Sequence, residues 1–144
     1  MLRVVPGSRA TPTEKLMLVG EILSVYTVTR WRMPQGDIRQ IAASTRNLLH
    51  NKPQRQPPAG QDSWEVAAHL GQAVFRTLRV LPTDSRCLVQ SLVLSRMLAA
   101  RGIPSTLVIG AHSRPDFEAH AWVEHDGRPV LPPRGFQDSR LVEL

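Results

Sequence analysis

The hydrophobic pattern of this chain changes period at Gly102-Ile103-Pro104, and that change limits the folds open to it. Before it, apolar residues recur three and four positions apart, the spacing of helices that bury one face. Beyond it, STLVIGA (105 to 111) is rich in β-formers and residues 119 to 125 alternate, as strands do. Helices followed by strands, rather than alternating with them, define an α+β fold with helices packed on a small antiparallel sheet. A length of 144 residues fits one domain, or a helical segment followed by one compact domain.

The helical part divides at its breakers. Residues 13 to 33 carry apolar side chains at 16, 17, 18, 22, 23 and 26, behind Thr11 or Thr13 as a cap. Pro34-Gln35-Gly36 ends this helix, and Asp37 can cap a second one to about His50. The prolines at 53, 57 and 58 with Gly60 mark a linker or exposed loop. A further helix opened by Asp62 or Ser63 runs up to Pro82, and another spans about Cys87 to Arg101, closed by Gly102 and Pro104. Asp126-Gly127 signals a hairpin, with 128 to 132 returning as a third strand. The expected organisation is a helical N-terminal region (1–52), a proline-rich linker or loop (53–61) and a compact domain (62–144).

Composition excludes several functions. The net charge of +6 is carried almost wholly by arginine, with lysine only at Lys15 and Lys52. No basic run exceeds Arg30-Trp31-Arg32 and no aromatic platform is interleaved, so a basic surface is expected rather than a nucleic-acid site. No stretch approaches the roughly 20 apolar residues of a membrane span, and no signal peptide is visible; the expected location is cytoplasmic. The single cysteine, Cys87, excludes an intrachain disulfide and a multi-cysteine zinc site. His50, His69, His112 and His125 show no metal spacing, and no Gly-rich phosphate loop is present.

Cys87 opens its helix just behind Thr83, Asp84 and Ser85, each able to cap it. First-turn N–H groups and the positive end of the helix dipole favour thiolate over thiol there. The same N–H groups can donate to an oxyanion on an attacked carbonyl. A thiolate nucleophile needs a proton carrier, and His120 qualifies by topology: cysteine helix, first strand, then the strand bearing the histidine. Alternation places His120, Trp122 and Glu124 on one face and Ala121, Val123 and His125 on the other. Should the Cys87 helix pack against the first face, His120 can meet it. Each residue also has an ordinary explanation: a cysteine beside Leu88, Val89 and Leu92 packs well, a strand histidine is commonly inert, and Trp122 suits a packing anchor.

CLVQSLVLSRMLAARGIPSTLVIGA followed by FEAHAWVEHDGRPV resembles the transglutaminase-like cysteine peptidases of lasso-peptide biosynthesis. Their pattern runs Cys-Leu-x-x-Ser-Leu, then Leu-x-x-x-Gly, Ile-Gly and Ala-His-Ala-Trp-Val-Glu, and it matches from Cys87 to Val130. The resemblance implies a papain/transglutaminase-like core, with Cys87 as nucleophile and His120 as general base and acid. The implied substrate is a ribosomally made precursor peptide, from which the leader is removed. It also implies a small leader-binding partner (a RiPP recognition element protein), a separate lasso cyclase downstream and no cofactor.

One departure concerns the third catalytic group. The family carries an aspartate about twelve residues after its histidine, where this chain reads Leu131-Pro132-Pro133. Along the strand Glu124 lies roughly 13 Å and Asp126 about 20 Å from His120, too far to reach it. Asp138 and Gln137 remain, since Gly135 lets the chain bend back; a backbone carbonyl or water can also serve. Three other functions stay open: an inactive module that binds peptide or a partner, an acyl transferase that uses an amine acceptor, and a nucleic-acid-binding domain. Trp31, Arg32 and the proline-rich 53–58 are candidate partner contacts, against an ordinary solvated surface.

Overall fold

The computed structural model describes residues 11–32, 62–81, 86–112, 118–130 and 139–143. Three helices are described, α1 (Pro12–Arg32), α2 (Ser63–Leu78) and α3 (Arg86–Ala100). Four strands follow: β1 (Thr106–His112), β2 (Glu118–His125), β3 (Arg128–Pro129) and β4 (Ser139–Glu143). They pair antiparallel in the order β3-β2-β1-β4. The α+β fold expected from the period change is the one that forms. The expected helix from Asp37 to His50, the linker 53–61 and the caps Thr83, Asp84 and Ser85 lie outside the described residues.

Local chemistry sets the helix ends. Thr11 and Glu14 form a capping box: the Glu14 carboxylate accepts from Thr11 N (2.8 Å) and the Thr11 hydroxyl from Glu14 N (3.3 Å). Pro12 occupies the first helical position, where its missing N–H costs nothing. Asp62 caps α2 by accepting from Trp64 N at 3.0 Å. At the end of α3, Gly102 has φ 72°, and the N–H groups of Gly102 and Ile103 donate to Ala99 O and Leu98 O, each at 3.0 Å. This is the paired closure for which glycine is favoured.

The core forms around α3. Ser91 to Ser95 are buried without interruption, as are Met97, Leu98 and Ala99, so this helix is apolar on nearly every side and must be surrounded. Ile22 of α1, Leu70 and Val74 of α2, and Leu107, Ala121 and Val123 of the sheet share its hydrophobic cluster. One polar tie reinforces the α1 contact: the Arg101 guanidinium donates to both Glu21 carboxylate oxygens at 2.9 Å. A third bond runs from Arg101 to Met97 O at 3.1 Å.

The Asp126-Gly127 hairpin forms as read, with φ of 51° and 72° and His125 opposite Arg128. Both positive angles suit the two-residue turn that matches strand twist. Of the expected third strand, 128 to 132, the described residues are Arg128, Pro129 and Val130, and the first two form β3. Pro129 has no N–H to continue the ladder, and beyond it Val130 N donates to Val123 O at 2.9 Å. β4 was not anticipated; it pairs with the free side of β1, and its register shifts between Ile109 and Gly110.

His125 is buried, 3% exposed, and joins three parts of the chain. Its Nδ1 lies 2.7 Å from Pro104 O, which only accepts, so Nδ1 carries a proton. Nε2 lies 2.9 Å from the Ser63 hydroxyl at the start of α2. The imidazole therefore fixes the α2 N-terminus to the α3–β1 connection. We expect His125→Ala to lose about 2 to 4 kcal/mol, since it opens a void and strands both partners. Ser63→Ala should lose about 1 kcal/mol. Denaturant midpoints measure both; a His125→Ala protein as stable as the wild type would contradict this assignment.

Candidate active site

Cys87 is the second residue of α3, half-buried, with its side chain against the hydrophobic cluster. The helix is fixed by apolar burial along its length, so its first turn is presented as a rigid end. His120 is the third residue of β2, half-buried, directly opposite Gly110 of β1.

Two observations locate these residues relative to each other. The connection from α3 to β1 is short, so β1 starts near the C-terminus of α3 and runs back along it; β2, antiparallel to β1, runs in the sense of α3. The Ser91 hydroxyl then donates to Ala121 O at 3.0 Å, pinning helix to strand. Cys87 precedes Ser91 by one helical turn, about 6 Å of rise, and His120 precedes Ala121 by about 3.3 Å. Cysteine and histidine thus stand at the same end of the helix–sheet layer, on the same side of the Ser91 bond.

The sheet face that receives α3 is not the one that carries His120, as the expected meeting of the two required. The α3 helix packs on the face bearing Leu107, Ile109, Ala121 and Val123, not on that of His120, Trp122 and Glu124. The reason is the hydrophobic effect: Leu107, Ile109, Ala121 and Val123 form one apolar block, with His125 beyond its end bonded to Pro104 O and Ser63, whereas His120 and Glu124 flank Trp122 on the second face. His120 therefore stands on the sheet face away from α3, near the end of the layer at which Cys87 lies.

On the second face the Trp122 indole N–H donates to Glu124 Oε1 at 2.9 Å, and both residues are buried. Trp122 is a packing anchor whose polar atom is satisfied locally by Glu124. Asp138 and Gln137 lie outside the described residues. The next residue, Ser139, opens β4 opposite Ala111, and Arg140 lies opposite Gly110, so the β4 backbone passes two strand spacings, about 10 Å, from His120. Gly110 places no side chain between them. Among the described residues, no group of three or more His, Cys, Asp or Glu is arranged to hold a metal ion, and no helix is long and apolar enough to cross a membrane.

Residues 22–139 match the transglutaminase-like superfamily, and the chain belongs to that superfamily. It groups enzymes that are commonly cysteine peptidases or acyl transferases, which agrees with a papain-like core carrying its cysteine at a helix start. No curated protein and no solved structure matches the chain.

Ser91 is the site residue that the sequence reading passed over. The signal was the serine of the Cys-Leu-x-x-Ser-Leu stretch, a hydroxyl one helical turn after the cysteine in an otherwise apolar helix. Removing it in Ser91→Ala should cost about 1 to 2 kcal/mol, read from denaturant unfolding. No loss would show that apolar contact alone holds the helix on the sheet.

Proposed function

We propose that the protein is a cysteine peptidase that removes the leader from a ribosomally made lasso-peptide precursor. The observation that carries this reading is Cys87 in the first turn of the buried central helix of a transglutaminase-like domain, level with the His120 strand. The finer assignment to leader peptides rests on the Cys-Leu-x-x-Ser-Leu and Ala-His-Ala-Trp-Val-Glu stretches.

In this mechanism the Cys87 thiolate attacks the carbonyl of the leader–core amide, forming a C–S bond. Negative charge develops on the carbonyl oxygen, where first-turn N–H groups of α3 can donate to it. Collapse breaks the C–N bond, and imidazolium His120 gives its proton to the leaving amine of the core peptide. Neutral His120 then takes a proton from water as the hydroxide oxygen attacks the thioester, which releases the leader carboxylate and regenerates the thiol–imidazole pair. Asp138 is the proposed orienter of His120, supported by the start of β4 at the level of Gly110 and His120. The reaction draws on no cofactor. Its proposed partners are the precursor peptide and a small leader-binding protein, with a lasso cyclase acting on the product, and its proposed location is the cytoplasm.

A second reading, an inactive module that binds peptide or partner, is favoured by one observation: Pro132 and Pro133 stand where the family has its aspartate. Cleavage of a precursor, assayed with the leader-binding protein present, separates the two. We expect Cys87→Ala and His120→Ala to abolish cleavage while the fold is retained, and Asp138→Asn to slow it at least about ten-fold. Cleavage by purified Cys87→Ala protein would overturn the mechanism, and an unchanged rate for Asp138→Asn would transfer the orienting role to Gln137, a carbonyl or water.

A further inference from the structure

The α1 helix has two apolar faces, and only one is used. Ile22 and Thr29 are buried against the core, with Leu18, Val25 and Tyr26 partly so. On the opposite side Leu16, Gly20, Leu23 and Thr27 follow at intervals of four, three and four, and Trp31 lies four further on. Leu16 is 72% exposed, Leu23 39% and Trp31 70%, a continuous outward stripe on a helix otherwise built into the core. Spacing of three and four is the seam by which one helix receives another.

Two details point to a helix as the occupant. Gly20 sits mid-helix, where glycine is disfavoured, and a Cβ there would meet nothing within 4 Å. Nothing in the described fold requires it, whereas a second helix crossing at close range does. The Thr27 hydroxyl donates to Leu23 O at 2.8 Å, so this polar group within the stripe is already engaged.

Charge selects the partner. Both α1 carboxylates are engaged within the chain, Glu14 in the capping box and Glu21 with Arg101. The exposed charges left on the helix are Lys15, Arg30 and Arg32. Half-buried Arg96 of α3 adds a further cation, its charged form disfavoured by burial and by the nearby Arg32. A second copy of this chain would bring like charge against like, while carboxylates relieve it.

We propose that the Leu16–Gly20–Leu23–Trp31 stripe of α1 docks an amphipathic helix of a partner protein whose apolar seam is flanked by glutamate or aspartate. The proposal does not depend on the reaction assigned to Cys87 and His120.

Two synthetic helical peptides test it by calorimetric titration against the whole chain. Both carry leucine at alternating three- and four-residue spacing, one with glutamate on the flanks and the other with lysine. The glutamate peptide is expected to bind, more weakly as salt rises. Gly20→Leu should weaken binding at least about ten-fold with no fall in the thermal midpoint, since the protein has open space there. Arg30→Glu should weaken it and flatten the salt dependence. Four results would overturn the proposal: no binding of the glutamate peptide, equal binding of the lysine peptide, indifference to Gly20→Leu, or sedimentation showing a dimer of the chain that Gly20→Leu dissociates.

Discussion

The structure depends on the burial of α3. A helix with Val89, Leu92, Val93, Leu94, Met97 and Leu98 spread around its circumference cannot present a solvent face, and burying each such side chain contributes about 1.5 to 3 kcal/mol. Only a fold that wraps the helix satisfies it. The α1 and α2 helices and one face of the sheet supply that wrapping. The same requirement leaves the helix N-terminus, and Cys87 with it, at the end of the layer, where the wrapping of α3 stops.

The sheet then positions the histidine. Because α3 takes the Leu107, Ile109, Ala121 and Val123 face, His120 cannot be delivered through the layer. The Ser91–Ala121 bond sets the sliding register of strand on helix, a setting that apolar contact alone leaves loose. Gly110 contributes by omission: it faces His120 on one side and Arg140 on the other, and keeps the row between β2 and β4 free of a side chain. The proposed catalytic pair is thus held by the rigid parts of the fold, the central helix and the middle strands.

Much of this was legible in the amino-acid order. The three described helices, the two long strands and the Asp126-Gly127 turn follow from periodicity and from Asp, Thr, Gly and Pro at the boundaries, because those signals are local. What failed was non-local. The face chosen by α3 depends on which side of the sheet gathers Leu107, Ile109, Ala121 and Val123 into one block, and that emerges only once β1 is paired with β2. β4 was missed because SRLVE is too short to stand out before its partner strand is known. The buried bonds of His125 to Pro104 and Ser63 join positions far apart in the chain, beyond any spacing rule. For the site, Cys87 and His120 were named from the chemistry of a helix start and a neighbouring strand, while Ser91, which registers them, looked like one polar residue in an apolar run.

The central claim is that Cys87 and His120 act as one unit at the end of the helix–sheet layer. The most direct test is the rate of Cys87 alkylation by iodoacetamide as a function of pH, compared between the wild type and His120→Ala with the fold of each verified. A coupled pair predicts rapid alkylation of the wild type near neutral pH, and a profile displaced to higher pH once the imidazole is removed. Superimposable profiles would contradict the account and leave Cys87 as a packing residue of the central helix.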